Sequence, residues 1–364
     1  MLLPGRSSTQ TSCEQAIHGR SSSPTDCERS TLRIEPDDLE LLREISRVCE
    51  TCGVQWMLIG ALARDVLLDR LADMSAGRAT DDVDIAVTVA SWNDFDALKG
   101  AFAESGLLEP TTTAHRLRGT SGGPFEARRV DVVPFGEQIQ DGTMLRWPPD
   151  QTTVMSVVGF VDAFDASLEI AFDGLRFRVV SVPGLAALKL AAWLDRHHET
   201  TKDAVDFDRL LRTYEYVIGT ERLYDAEIDA VELTGYDVAA AAAVILGSDV
   251  RRIASPPTLA RLESLFDDDR LRSLFIDQLP QPPTPTSATT PSRSAIIEWF
   301  THGLQKDRCS ESCHATPGDS TPPPRHYEHE TTSVIRSEAA TNRPIGGSRD
   351  ESRATHAFPA TCSG

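Results

Sequence analysis

The chain lacks any apolar run of the roughly 20 residues that a membrane crossing needs, and no apolar stretch with a small-residue cleavage site follows its first residues. Those two absences predict a protein that stays out of membranes and the secretory route, and so a cytoplasmic one. A disulfide framework is missing as well. Seven cysteines are an odd number, and Cys13, Cys27, Cys309, Cys313 and Cys362 sit in Ser/Thr/Pro-rich flanks. Positive charge is scarce, with 36 basic residues against 55 acidic ones and a formal charge of −19. The flanks hold similar numbers of both signs, so nearly all the excess falls between residues 36 and 275. Such a field disfavours non-specific nucleic-acid binding and obliges any RNA acceptor to find a local basic patch.

The 364 residues leave room for about two domains. Residues 1–35 and 277–364 are rich in Ser, Thr, Pro and Gly without apolar periodicity, and read as disordered tails. A short apolar stretch at 294–304 reads as an isolated helical turn without a function. Between the tails, residues 36–181 alternate helix and strand: helices at 36–49, 61–71 and 91–104, and strands at 54–59, 83–87, 115–117 and 129–135. A hairpin follows across Asp173-Gly174. From Val182 to residue 276 the pattern is helical, which places a boundary near Ser181.

The chemistry gathers around Asp82-Val83-Asp84-Ile85-Ala86-Val87. On a strand, Asp82 and Asp84 project from one face while Val83, Ile85 and Val87 bury the other. Paired carboxylates at a strand rim suit Mg²⁺, which takes one or two carboxylates plus substrate phosphates. Asp131, the lone acid in an apolar strand, is placed to join them across a sheet, and a third carboxylate allows two metals. Gly60 follows one strand and opens a helix, so its backbone can approach phosphate at a helix N-terminus, with Arg64 a turn further on. Lys189 is a cation inside the otherwise apolar 185–193, and Arg196 lies two turns along the same face. Lys202, Asp203 and Asp206 open the next helix, where they either touch a nucleotide or position Lys189.

Each signal has a plainer counterpart. An isolated Asp-x-Asp is a common solvated strand edge, and Gly60 alone is an ordinary turn residue. Lys189 can run its stem along the helix and keep its head in water. Arg64 suits an ion pair with Asp65 or Asp69, and Lys202 with Asp206 has the spacing of a helical salt bridge. Cys49 and Cys52 have zinc-like spacing without a second pair nearby, and His197-His198 suits a helix C-terminus. The coincidence of strand-Gly-helix, paired acids and a third strand acid outweighs the solvated-edge reading of Asp82 and Asp84, whereas Arg64 and Lys202 fit the salt-bridge reading better, and the cysteine and histidine pairs keep their plainer readings.

Taken together, Gly60-Ala61 with Ala63-Arg64-Asp65, Ala79-Thr80-Asp81-Asp82-Val83-Asp84-Ile85, Val130 to Gly136, Pro183 to Leu190 and Lys202 to Asp206 resemble the DNA polymerase beta-like nucleotidyltransferase superfamily. Within it they resemble the AbiEii-type proteins, which include toxins of type IV toxin-antitoxin systems. The likeness covers roughly residues 36–275. It implies an α/β (α+β) catalytic domain with a mixed sheet at 36–181 and a helical domain at 182–276 that contributes to the nucleotide site. It implies NTP-dependent transfer of a nucleoside monophosphate to an RNA end, tRNA included, or to a protein hydroxyl. A cognate antitoxin is the implied partner. Asp82, Asp84 and Asp131 would hold two Mg²⁺, or Mn²⁺, and act as catalytic residues with Lys189, while Gly60, Ala61, Arg64, Lys189 and Lys202 would bind the nucleotide. Ala61 departs from the usual Gly-Gly or Gly-Ser turn and supplies no hydroxyl. CCA-adding enzymes and poly(A) polymerases share the 64–68 pattern but carry an Arg-rich motif where this chain reads Val132-Val133-Pro134-Phe135-Gly136. The alternatives are transfer to a small molecule, as by aminoglycoside nucleotidyltransferases, or an inactive fold kept for nucleotide binding or interaction.

Overall fold

The structure, a computed structural model, describes residues 34–72, 82–136, 138–281 and 291–305. The described residues fall in one compact unit. Most of the expected tails, and Ala79 to Asp81 of the carboxylate motif, lie outside the described residues.

The first helix, α1 (Pro36–Thr51), opens on a proline with Asp37 and Asp38 in its first turn, and buries Leu39, Leu42, Ile45 and Val48. Strand β1 (Trp56–Ile59) is buried throughout and runs directly into α2 (Gly60–Ala72). Next come β2 (Asp82–Thr88), then α3 (Trp92–Glu104), whose Ser91 Oγ accepts from the Asp94 N–H as an N-cap. Three strands follow, β3 (Leu108–Pro110), β4 (Arg116–Gly119) and β5 (Arg129–Phe135). The hairpin of β9 (Leu168–Phe172) and β10 (Leu175–Val179) turns through Asp173 and Gly174, both at positive φ, the geometry of a two-residue type I′ turn.

These strands form one seven-stranded mixed sheet in the order β3-β4-β5-β2-β1-β10-β9. Strand β2 is parallel to β5 and antiparallel to β1, and β1 is parallel to β10. Sequence reasoning missed a second sheet of β6 (Gln140–Asp141), β7 (Met144–Arg146) and β8 (Val154–Ser156), and the short helix α4 (Phe160–Asp165). Segments of two or three residues are too short to show an alternation.

Past Ser181 the chain is helical, as expected. Helix α5 (Val182–Arg196) starts where Ser181 Oγ accepts from the Gly184 N–H and Pro183 occupies the first turn. Helix α6 (Lys202–Glu221) carries a break at Gly219 (φ 71°) before a π-helical turn at Arg222–Ala226. The remainder are α7 (Ile228–Leu233), α8 (Val238–Ile253), α9 (Pro256–Asp267), α10 (Asp269–Gln278) and α11 (Arg293–Leu304). One apolar core runs through the sheet layer and the helices.

Helix α11 corrects the reading of 294–304 as an isolated turn. Ile296, Ile297, Phe300 and Leu304 are fully buried, and the Phe300 ring lies 5.1 Å from Phe207 and 5.7 Å from Phe266. Helices α8 and α11 approach so closely that a Cβ on Gly303 would stand 1.9 Å from the Val244 carbonyl oxygen, and one on Gly247 would stand 2.1 Å from that of Phe300. No helix among the described residues is long and apolar enough to cross a membrane.

Candidate active site

The site follows from strand register. Strands β2 and β5 place Asp84 beside Asp131 and Asp82 beside Arg129, while β1 sets Ile59 beside Asp84. Gly60 is therefore the residue that leaves β1 at the Asp84 carboxylate. It has φ 72°, and a Cβ there would lie 2.0 Å from Asp84 Oδ2 and 2.7 Å from Cγ. Only glycine lets the chain turn into α2 this close to an acid side chain.

A cleft of about 600 Å³ opens from Gly60 and Asp84 across α5 to Lys189, Arg196 and Asp203. Its other wall is apolar and comes from the second sheet and its neighbours, with Met144, Met155, Val158, Phe160 and Leu188. The size and the mixture of an apolar wall with a few charged groups suit a nucleotide-sized ligand.

Two acids from α6 organise the cations. Lys189 Nζ lies 2.6 Å from Asp206 Oδ2 and 3.4 Å from Asp203 Oδ1. Arg196 donates from Nε and Nη2 to the two oxygens of Asp203, at 2.7 and 2.9 Å. Asp203 is fully buried. Burial pushes its carboxyl pKa up, but Arg196 and Lys189 outweigh this and hold it below the usual 3.8. Of the two roles left open for Asp203 and Asp206, contact places both on Lys189.

Arg64 is brought to this cluster but not to the cleft. Its buried guanidinium pairs with Asp65 at 2.9 Å and with Asp206, so it ties α2 to α6. In the structure Arg64 supports α6 through Asp206 and is not among the residues that line the cleft. Lys202 is exposed at the start of α6 and does not line the cleft, and Asp206 turns to Lys189 and Arg64. Ala61 follows Gly60 in the first turn of α2.

Burial pushes the Asp84 pKa up to about 6, with Asp131 and Asp82 adding repulsion and Lys189 and Arg196 opposing it. Asp84, repelled by the two acids beside it, belongs to a set of hard oxygen donors that suits a Mg²⁺-type cation completed by substrate phosphates. No three His, Cys, Asp or Glu side chains close into a ready-made cage among the described residues.

Sequence reasoning missed the arginines on the far side of the acids. Arg116 grips Asp131 through Nε and Nη2, both at 2.7 Å, and Arg129 pairs with Asp82. The Arg-x-Arg of β4 is visible in the sequence, but its meaning needs the register that puts it opposite Arg129-x-Asp131.

Mixed sheet, glycine turn, adjacent strand carboxylates and a helical wall bearing the cations define a nucleotidyltransferase of mixed α/β fold. Residues 53–289 match the family described as the nucleotidyl transferase AbiEii toxin of type IV toxin-antitoxin systems, and the chain belongs to that family. No curated protein matches the chain. An antigenic nucleotidyltransferase-like protein from Paracoccidioides brasiliensis is similar at 15% identity over 57% of this chain and 93% of that one, with a TM-score of 0.34. The solution structure of the antibiotic-resistance factor ANT(2'')-Ia is similar at 12% identity over 56% of this chain and 99% of the other, with a TM-score of 0.30. ANT(2'')-Ia in complex with adenylyl-2''-tobramycin gives 13%, 56%, 95% and 0.29.

Proposed function

We propose that this nucleotidyltransferase moves a nucleoside monophosphate from an NTP to a hydroxyl on an RNA end, tRNA included, or on a protein, and serves as the toxin of a toxin-antitoxin pair. Asp82, Asp84 and Asp131 are the residues that would hold Mg²⁺ or Mn²⁺. A cation there would neutralise charge on the phosphates and acidify the acceptor hydroxyl. In this reading Gly60 offers its backbone to the triphosphate at the start of α2, and Lys189, steadied by Asp203 and Asp206, neutralises the phosphates from the opposite wall. Asp84 or Asp131 accepts the acceptor's proton. The base lies along the apolar wall of Met144, Met155 and Leu188.

The observation that carries this reading is the register that sets Asp84 beside Asp131 while Gly60 packs against Asp84. Incubation with each α-labelled NTP, Mg²⁺ and a mixture of total RNA and protein tests it. Label on an RNA or protein band, absent with Asp84→Asn, is the expected result. Label transferred by the Asp84→Asn protein removes that residue from the chemistry. No transfer with any NTP moves the reading to a small-molecule acceptor or a binding-only fold.

A further inference from the structure

Both oxygens of Asp131 are engaged by a neighbour on the same sheet. Arg116, its register partner on β4, donates from Nε to Oδ1 and from Nη2 to Oδ2, each at 2.7 Å. A guanidinium fork of this kind covers the carboxylate edge that a hard cation would use. The fork is free to leave. The Arg116 side chain is 34% exposed, against 9% for Arg64, which is sealed between Asp65 and Asp206. Its backbone, by contrast, is fixed: the N–H donates to the Thr113 carbonyl at 3.0 Å, and the carbonyl accepts from the Thr111 N–H at 3.1 Å. The guanidinium can therefore swing into water while β4 stays in place. The hydrogen bonds to Asp131 hold its pKa above the ordinary arginine value, and the charges of Asp131, Asp82 and Asp84 add to that. All three acids thus face this one guanidinium.

We propose that Arg116 is a resident counter-cation for Asp131, which a divalent ion must displace before Asp131 can join Asp84 in holding it. The proposal rests on the nucleotidyltransferase reading of the site, and adds to the three carboxylates a residue that sets how readily they load. A guanidinium and a divalent ion cannot take the same two oxygens, and two positive charges that close repel strongly away from bulk water. The exchange is feasible because an ion pair open to solvent holds weakly. Without an ion, the same contact offsets the repulsion between Asp131 and Asp84, which are paired across β5 and β2. Arg116 therefore favours the metal-free protein and opposes the loaded one. A residue that merely oriented Asp131 for the ion would act with the opposite sign, since loss of such a partner weakens metal binding. Arg118 supplies the control, because it carries the same charge on the same strand but pairs with Glu109 on β3.

The test is a Mn²⁺ titration followed by the electron paramagnetic resonance of the free ion, without nucleotide and in salt of about 0.15 M so that distant charges are screened. Arg116→Gln should bind Mn²⁺ about 10-fold more tightly than wild type, the scale of one charge-assisted contact no longer competing, and Arg118→Gln should stay within about 2-fold. Urea unfolding of the same proteins reads the other side of the balance. In EDTA, Arg116→Gln should be less stable than wild type, and the gap should close as Mn²⁺ is added, because an ion held only by the folded state stabilises according to its affinity. Arg116→Lys, which keeps the charge without the fork, should tighten binding by about 3-fold, and it serves if the glutamine variant does not fold. Unchanged or weaker Mn²⁺ binding on loss of the fork, or a stability gap that persists or widens with Mn²⁺, overturns the proposal. Asp84→Asn separates the failures. A wild-type protein that binds no Mn²⁺, or an Asp84→Asn protein that binds it as tightly as wild type, removes the metal reading of the acids itself.

Discussion

Gly60→Ala should disable the site while leaving a folded protein, and the size of the effect follows from two separate penalties. The first is conformational. A non-glycine residue at φ 72° occupies left-handed backbone at a cost of about 1–2 kcal/mol. The second is steric. The new methyl would stand 2.0 Å from Asp84 Oδ2, 2.7 Å from Cγ and 2.8 Å from Cβ, so about 1 Å of displacement is needed in the carboxylate or the β1-α2 turn. Overpacking of that kind costs about 1–3 kcal/mol, and a 1 Å misplacement of a reacting group lowers a rate by about 100-fold. Urea unfolding of the wild type, Gly60→Ala, Asp84→Ala and the double variant separates the two. Asp84→Ala removes Oδ2 and Cγ but keeps the Cβ contact, so Gly60→Ala should cost less by about 1–2 kcal/mol in that background. Label transfer by Gly60→Ala alone should fall by about 100-fold. A coupling near zero, or transfer within about threefold of wild type, would refute the claim that Gly60 is glycine because Asp84 is pressed against it.

Two further perturbations probe the helical side. Asp203→Asn removes the partner of both Arg196 and Lys189. Breaking a buried pair costs about 3–5 kcal/mol, and since Arg196 is half exposed and Lys189 keeps Asp206, about 2–3 kcal/mol is expected from urea unfolding at pH 7. Because the folded pKa of Asp203 lies below its usual 3.8, its stabilisation is present above that value and is lost as pH falls through the folded one, so the gap between the two proteins should narrow on acidification below about pH 4. A difference that never narrows with acid, over the whole range in which both proteins stay folded, would mean that charge is not what Asp203 contributes. Gly247→Ala or Gly303→Ala should destabilise by about 2 kcal/mol or more, although alanine is the better helix former by about 1 kcal/mol, because the added methyl meets backbone across the α8-α11 contact. A gain in stability from either would show that α11 is not seated against α8.

The parts of this protein legible in its sequence are those whose logic is local. Asp82 and Asp84 declare a strand rim by their spacing, Gly60 marks the turn between β1 and α2, Ser91 announces a helix start, Ser181 marks the change to helical pattern, and Asp173-Gly174 announces a hairpin. What stayed hidden depends on partners distant in the chain. Arg64 is separated from Asp206 by 142 residues, and its resemblance to a phosphate ligand survives until α6 is seen to claim it. The tail-like composition around 294–304 hides a helix because proline-rich chain precedes it, whereas the decisive feature is the fit of Gly303 to α8. That fit extends the folded unit past residue 289, where the family match ends. It also bears on the chemistry. Phe300 touches Phe207 of α6, the helix whose Asp203 and Asp206 hold Lys189, so α11 supports the very helix that positions the cation facing Asp84. A chain cut at residue 289 would retain every residue assigned to the site and still lose the packing beneath α6 that keeps Lys189 in place.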